Sequence, residues 1–322
     1  MDYKKLSSVM LGIICCASMV NAHFTMVFPS GDMDVSPKDY IAQVGETKDV
    51  LIAWGHPYEH ILFDMTSVPE VSVISPQGRE KQLSVTEVRV PHKEGPKKGY
   101  KTRLTVEGEG DWIISVKYKD AGEELVDNVK AVIHCGEEAW YGWDNLIGRE
   151  AEIVPYTRPY GMEEGFVFSG KAYSNGKTLA DAEVEVEIYH PANTADGIVE
   201  AAESKYPYDP PMVFTRVTKA DGDGDLSYTL DEPGIWFVCV TKEVEGEFTQ
   251  RGVFIVPVLE AFPPKAAAEG GVKALEGKVS SLEGKVNALS NRIPTQTGGS
   301  STLVYLALSL SVVAVIVALT KK

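Results

Sequence analysis

The run Trp54-Gly55-His56-Pro57-Tyr58-Glu59-His60, followed by Asp64 and Met65, is the densest grouping of metal-capable side chains in the chain. Histidines four apart meet on one face if the segment is helical, and Pro57 suits the first helical position after His56. Neutral imidazole accepts nickel, cobalt, copper and zinc ions, and Glu59 or Asp64 can add an oxygen or orient a ring. The competing reading is an ordinary pair of turn histidines.

His23 adds a second kind of donor. Residues 1–22 have the layout of a secretory signal, with Lys4 and Lys5, an apolar stretch from Val9 to Val20, and the small-residue site Val20-Asn21-Ala22. Cleavage after Ala22 makes His23 the first residue, and a free α-amine beside an imidazole is a bidentate metal-binding pair. The amine titrates near ~8 and the imidazole near ~6.5, so both can be neutral donors. Cleavage after Ala17 would instead leave His23 internal. His134, ending a predicted strand beside Cys135, is the fourth candidate ligand, and Met26 offers a soft sulfur. Convergence of His23, His56, His60 and His134 at one end of the first domain would make a transition-metal site. Otherwise His134 is a hydrogen-bonded histidine at a sheet margin. His92 and His190 read as surface residues.

Other chemistries find little support. Asp221-Gly222-Asp223-Gly224-Asp225 resembles a calcium loop, but Leu226 occupies the position that needs glycine, so a tight turn is the stronger reading. There is no G-x-S-x-G elbow, phosphate-cradling glycine loop, H-E-x-x-H or paired zinc-finger cysteines. The chain is therefore read as a binding protein and not an enzyme. A net charge of −15 argues against nucleic-acid binding and fits a solvated cell-surface protein.

The elements that must position these residues are short strands. Val50–Trp54, Val71–Ile74, Leu104–Val106, Trp112–Val116 and Ala131–Ile133 alternate with Gly, Pro and charged turns. That pattern predicts an antiparallel sandwich over residues 23–140. Tyr141 to Gly161 reads as a connection. Phe166–Phe168, Val184–Ile188, Phe214–Val217, Leu226–Leu230, Trp236–Val240 and Gly252–Val256 predict a second sandwich over residues 141–262. The fold class expected is all-β, with two antiparallel β-sandwich domains of immunoglobulin-like or transthyretin-like kind. Cys135 and Cys239 can form a disulfide in an exported protein or stay as buried thiols.

A linker and stalk occupy residues 263–301. Val272, Leu275, Val279, Leu282, Val286, Leu289 and Ile293 form a heptad seam, which predicts a short coiled-coil helix and a parallel homodimer. Thr302 to Thr320 is an uncharged apolar run long enough for a transmembrane helix, and Lys321 and Lys322 after it stay cytoplasmic. The expected location is the cell membrane, single-pass, with the ectodomain outside the cytoplasm.

Ala22-His23-Phe24, Trp54–Glu59, Glu152–Pro155, Gly176–Val184, Thr218–Gly222 and Glu232–Trp236 together resemble an exported family. It is the family labelled as the periplasmic component of nickel or cobalt uptake (NikM-like), with a central domain of unknown function. The resemblance spans roughly residues 22–257. It implies a β-rich protein that binds nickel or cobalt and serves a membrane metal transporter, with His23, His56 and His60 as ligands and His134 less firmly. Copper or zinc would suit the same ligand types. Two rivals are a structural or adhesive surface protein without metal and a copper histidine-brace enzyme at His23. Intact mass spectrometry of the protein purified from its native membrane is expected to give a chain starting at His23. A start at Ser18 would remove the terminal donor.

Overall fold

The computed structural model describes residues 23–189 and 214–263, with isolated positions at 204, 277 and 279–281. The signal segment 1–22, nearly all of the predicted coiled coil and the predicted membrane span 302–320 lie outside the described residues. Among the described residues no helix is long and apolar enough to cross a membrane.

The first half contributes β1 (Phe24–Phe28), β2 (Ile41–Ala42), β3 (Thr47–His56), β4 (Ile61–Phe63), β5 (Glu70–Ile74), β6 (Glu80–Leu83), β7 (Thr86–Val90), β8 (Lys97–Thr105), β9 (Gly110–Asp120) and β10 (Leu125–Cys135). Then come β11 (Glu152–Pro155), β12 (Met162–Glu163), β13 (Phe166–Ser174), β14 (Lys177–Thr178), β15 (Glu183–Tyr189), β16 (Arg216–Lys219), β17 (Asp225–Leu230), β18 (Gly234–Lys242) and β19 (Thr249–Leu259). The protein is mostly β-sheet, as its strand pattern predicts.

Three sheets form. The first has the order β1-β3-β8-β7, with β4 added to β3. The central sheet runs β16-β15-β18-β19-β10-β9-β5-β6 and takes β2 and β12 at its margins. The third runs β11-β13-β14, with β17 on β13. The central sheet thus draws strands from both sides of residue 140. They join where β10 and β19 pair in parallel, Leu125 opposite Thr249 through Ala131 opposite Ile255. The break expected at 140 is not a structural division, because one sheet passes through it and residues 23–261 form one compact unit.

Strand periodicity explains how the central sheet serves two cores. Ile235, Phe237, Cys239, Val253 and Ile255 face the first core with β1, β3 and β8. Their neighbours Trp236, Val238, Val240, Phe254 and Val256 face the second core with Ile153, Phe168, Leu226 and Leu230 of the third sheet. A sheet buried on both faces reads as unbroken apolar runs, which is how Trp236–Val240 appears in the sequence.

Cys135 and Cys239 are buried free thiols. Cys239 lies level with Val253, which pairs with Val129, so Cys135 is six residues further along and two strands away. That separation is far beyond the ~7 Å limit for bridging. The 221–225 segment is the tight turn, with Asp221 Oδ1 accepting from the backbone N–H groups of Asp223 and Asp225.

The turn leading into β11 is held by an ion pair inside the protein. Lys130 Nζ lies 3.0 Å from Glu152 Oε2 and donates to the Asn145 carbonyl, and both charged side chains are only 1% exposed. Glu152 also accepts the backbone N–H groups of Ile147, Gly148 and Arg149. Lys130→Met is expected to lower unfolding free energy by ~3–5 kcal/mol, since it strands a buried carboxylate. Urea denaturation would measure it, and a change below about 1 kcal/mol would deny the pair its structural role.

Candidate metal centre

Two of the four candidate histidines meet. β1 and β3 are antiparallel with Phe24 opposite Gly55, and the next step of that register sets His23 opposite His56. Directly opposed residues on neighbouring strands share a face with Cβ atoms ~5 Å apart. Their ring centroids are 4.3 Å apart, at an interplanar angle of 84°. Nδ1 of each ring is buried and makes no hydrogen bond. Glu123 Oε1 comes within 3.5 Å of His23 Nδ1, and Glu59 Oε2 within 3.1 Å of His56 Nδ1, as ion-pair contacts without a hydrogen bond.

Aromatic rings surround the pair. Phe63 stands edgewise to both, at 4.8 Å from His23 and 5.5 Å from His56, and Trp54 lies 5.6 Å from His23. Phe63 pairs with Trp54 because β4 folds straight back on β3. Gly55 permits that return, since a Cβ there would sit 1.9 Å from the Ile61 carbonyl oxygen.

A buried charge network fixes the start of β1. Arg251 donates from Nη2 to the His23 carbonyl and from Nε to Asp127 Oδ1 at 2.8 Å. Asp127 Oδ2 accepts the backbone N–H of Thr25 at 2.9 Å. Arg251 is 3% exposed and Asp127 0%. Glu185 comes within 3.7 Å of the same guanidinium, and burial raises its carboxyl to about 7. Burial, the neighbouring His56 and the Arg251 charge push the His23 imidazole down to about 4. The ring is therefore neutral at ordinary pH.

The other two candidates lie elsewhere. The segment after His56 is a turn, not a helix, and His60 takes a left-handed backbone with φ of 53°. Its ring stacks on Tyr189 at 4.2 Å, so the four-residue spacing does not join it to His56. His134 is a correction to the expected convergence. It sits near the far end of β10, nine residues or ~30 Å from Leu125 at the His23 end. There Asp111 Oδ1 binds its Nδ1 at 2.7 Å and Tyr160 stacks on it at 4.1 Å. That is the hydrogen-bonded sheet-margin role. Met26 is buried in the first core. Among the described residues no three His, Cys, Asp or Glu side chains converge as a ligand set. Nothing in the local sequence marks Phe63, Arg251 or Asp127 as neighbours of this pair, because each reads as an ordinary strand residue.

Residues 20–243 match the family described as Domain of unknown function (DUF4198). No curated protein matches the chain. Among solved structures, a 1.5-MDa bacterial ice-binding adhesin is similar at 11% identity, over 74% of this chain and 65% of that one, with a TM-score of 0.22. A DUF4785 family protein from Legionella pneumophila is similar at 9% identity, over 63% and 49%, with a TM-score of 0.23. The tandem V-type regions of a chitin-binding protein, VCBP3, are similar at 11% identity, over 73% and 99%, with a TM-score of 0.22. The chain thus spans under two thirds of the first two structures, and likenesses this distant carry no argument about function.

The turn beside the pair depends on a buried acid. Glu187 accepts the Tyr58 backbone N–H at 2.9 Å and the Thr215 hydroxyl at 2.8 Å, and burial raises its carboxyl from 4.5 to about 8. The folded protein therefore keeps a proton that the unfolded chain gives up near pH 4.5. Stability from this group is full below pH 4.5 and is lost as pH rises toward 8. His23 acts in the opposite sense below pH 6.5, so the variant must isolate Glu187. Glu187→Gln is expected to flatten the fall in melting temperature between pH 5 and 8. An unchanged slope would show that Glu187 does not titrate in this way.

Proposed function

The chain belongs to the DUF4198 family, defined by a domain of unknown function, and on that premise we propose that it captures a divalent transition metal outside the cytoplasm for a membrane transporter. The observation that carries this reading is the 4.3 Å approach of the His23 and His56 rings, each with a buried Nδ1 that makes no hydrogen bond and lies beside a carboxylate. Two imidazoles alone are an incomplete shell. The α-amine of His23, freed by cleavage after Ala22, is the third nitrogen, and with Nδ1 of the same residue it closes a six-membered chelate ring. The ion is cargo in this reading, and the chain is a surface-fixed receptor and not an enzyme.

The residues suit that cargo. A ligand ring that stays neutral to about pH 4 does not lose its donor to protons at neutral pH. Glu59, Asp120 and Glu123 bring negative charge to balance a dication. Nickel and cobalt rest on the family resemblance. The transporter partner, the single-pass anchor and the stalk homodimer rest on the sequence pattern.

Calorimetric titration of the full chain in detergent is expected to find a single nickel or cobalt site per chain. His23→Ala and His56→Ala should each weaken it by more than about tenfold, or ~1.4 kcal/mol. A chain carrying one extra residue before His23 should weaken it comparably, since the amine is then moved. Unchanged affinity in His23→Ala combined with His56→Ala would overturn the proposal.

A further inference from the structure

We infer that Trp140, Tyr141 and Arg158 form a shallow binding site for a carboxylate-bearing sugar, of the uronic-acid kind found in extracellular glycans. The site lies beside the Asp111–His134 pair, near the end of β10 that is far from His23. It shares with the capture reading only the placement of the chain outside the cytoplasm.

Arg158 supplies the first argument. Its guanidinium lies over the Trp140 ring at 4.7 Å and the Tyr160 ring at 5.3 Å. Among the described residues it makes no hydrogen bond and no ion pair. In a chain with 46 acidic residues against 31 basic ones, a carboxylate partner would be easy to supply. Aromatic rings attract the charge of a guanidinium but take up none of its N–H groups as conventional hydrogen bonds. The planar fork therefore keeps its donors open for a carboxylate, an anion that it binds bidentately. Asp111 does not fill that role. It is fully buried, and its two oxygens hold His134 at 2.7 Å and the Tyr160 hydroxyl at 2.9 Å. Those bonds fix Tyr160, which stacks on His134 at 4.1 Å, and so give Arg158 a rigid support.

The exposed rings are the second argument. Trp140 is 54% exposed and Tyr141 48%. They are held in place and not carried on a loose loop. The Tyr141 carbonyl accepts the Asp111 N–H at 2.9 Å, and its hydroxyl donates to the Glu109 carbonyl at 3.1 Å. Gly142 follows with a φ of 106°, so close to β9 that a Cβ would sit 2.7 Å from the Asp111 carbonyl oxygen. The C–H faces of a pyranose pack on aromatic rings presented in this way, while its carboxylate reaches the neighbouring guanidinium. The two rings expose roughly 200 Å² between them, enough for a sugar unit but well short of the ~800 Å² that a stable protein interface takes from each side.

The test uses the full chain in detergent and saturation-transfer NMR titrations with trigalacturonate, its fully methyl-esterified form and triglutamate. Wild type is expected to bind trigalacturonate about tenfold more tightly than the uncharged ester. Arg158→Gln should abolish that preference, and Arg158→Lys, which keeps the charge without the planar fork, should restore only part of it. Trp140→Ala should weaken acid and ester alike by about tenfold. Equal wild-type affinities for acid and ester, no binding of either, or a preference that survives Arg158→Gln would overturn the proposal. Triglutamate bound as tightly as trigalacturonate would also overturn it, by assigning the surface to a protein carboxylate. The ester comparison is made on the wild type, so it stands even where a variant fails to fold. None of these outcomes touches ion binding through His23 and His56, so capture stands or falls separately.

Discussion

Arg251 and Asp127 stand directly opposite one another where β10 and β19 pair in parallel, and that buried pair anchors β1 to the central sheet. Asp127 holds the N–H of Thr25 and Arg251 holds the carbonyl of His23, so both ends of a two-residue step are fixed. β1 is an edge strand of the first sheet, bonded to β3 on one side only. Edge strands fray unless tied down. Here the tie comes from across the sandwich, through two side chains that lose almost all contact with water. Removing either partner strands the other, at a cost of ~3–5 kcal/mol. The guanidinium also lies over the Phe24 and Trp54 rings, at 5.2 and 6.0 Å, which adds cation–π attraction in a desolvated setting.

The same parallel pairing decides how the two halves relate. Two sandwiches joined by a flexible connection would swing against each other. A shared sheet with both faces buried does not permit that, because β18 and β19 supply alternate side chains to both cores. Arg251 belongs to β19, the last strand among the described residues, and it fixes a residue at their start. The geometry at His23 therefore depends on the second half of the protein being folded. A fragment ending near residue 140 would lack Arg251 and half of its central sheet.

The strands were largely legible, because Val50–Trp54, Trp112–Val116 and Val184–Ile188 carry β-branched and aromatic side chains between turn residues. Their assembly was not. Trp236–Val240 is apolar at every position, and a sequence cannot tell two buried faces from one. The meeting of His23 and His56 was proposed from residue types, but for a reason that differs from the real one. The four-residue spacing to His60 suggested a helix, whereas β3 runs on to His56 and Gly55 lets β4 return on top of it. What joins His56 to His23 is strand register, which depends on a pairing 33 residues apart in the chain that local patterns do not encode. His134 failed for the same reason, since being close to a strand end does not say which end of the sheet it lies on.

Electrostatics around the pair follow from this arrangement. Arg251 lies close enough to His23 to disfavour a proton on its ring, and it would also oppose a metal ion. Its charge is already engaged by Asp127 within 2.8 Å and by Glu185 within 3.7 Å, both shielded from water. A proton on His23 finds little of that compensation, because the ring is desolvated and His56 lies against it. A dication at the rings would meet the same desolvation and the same Arg251 charge, so carboxylates beside the rings would have to offset it. Glu123 and Glu59 then remain at the rim, each near one ring nitrogen, as the nearest carboxylates to take up the added charge. The burial that keeps a proton off His23 therefore opposes any cation beside the rings to the extent that these carboxylates do not compensate it.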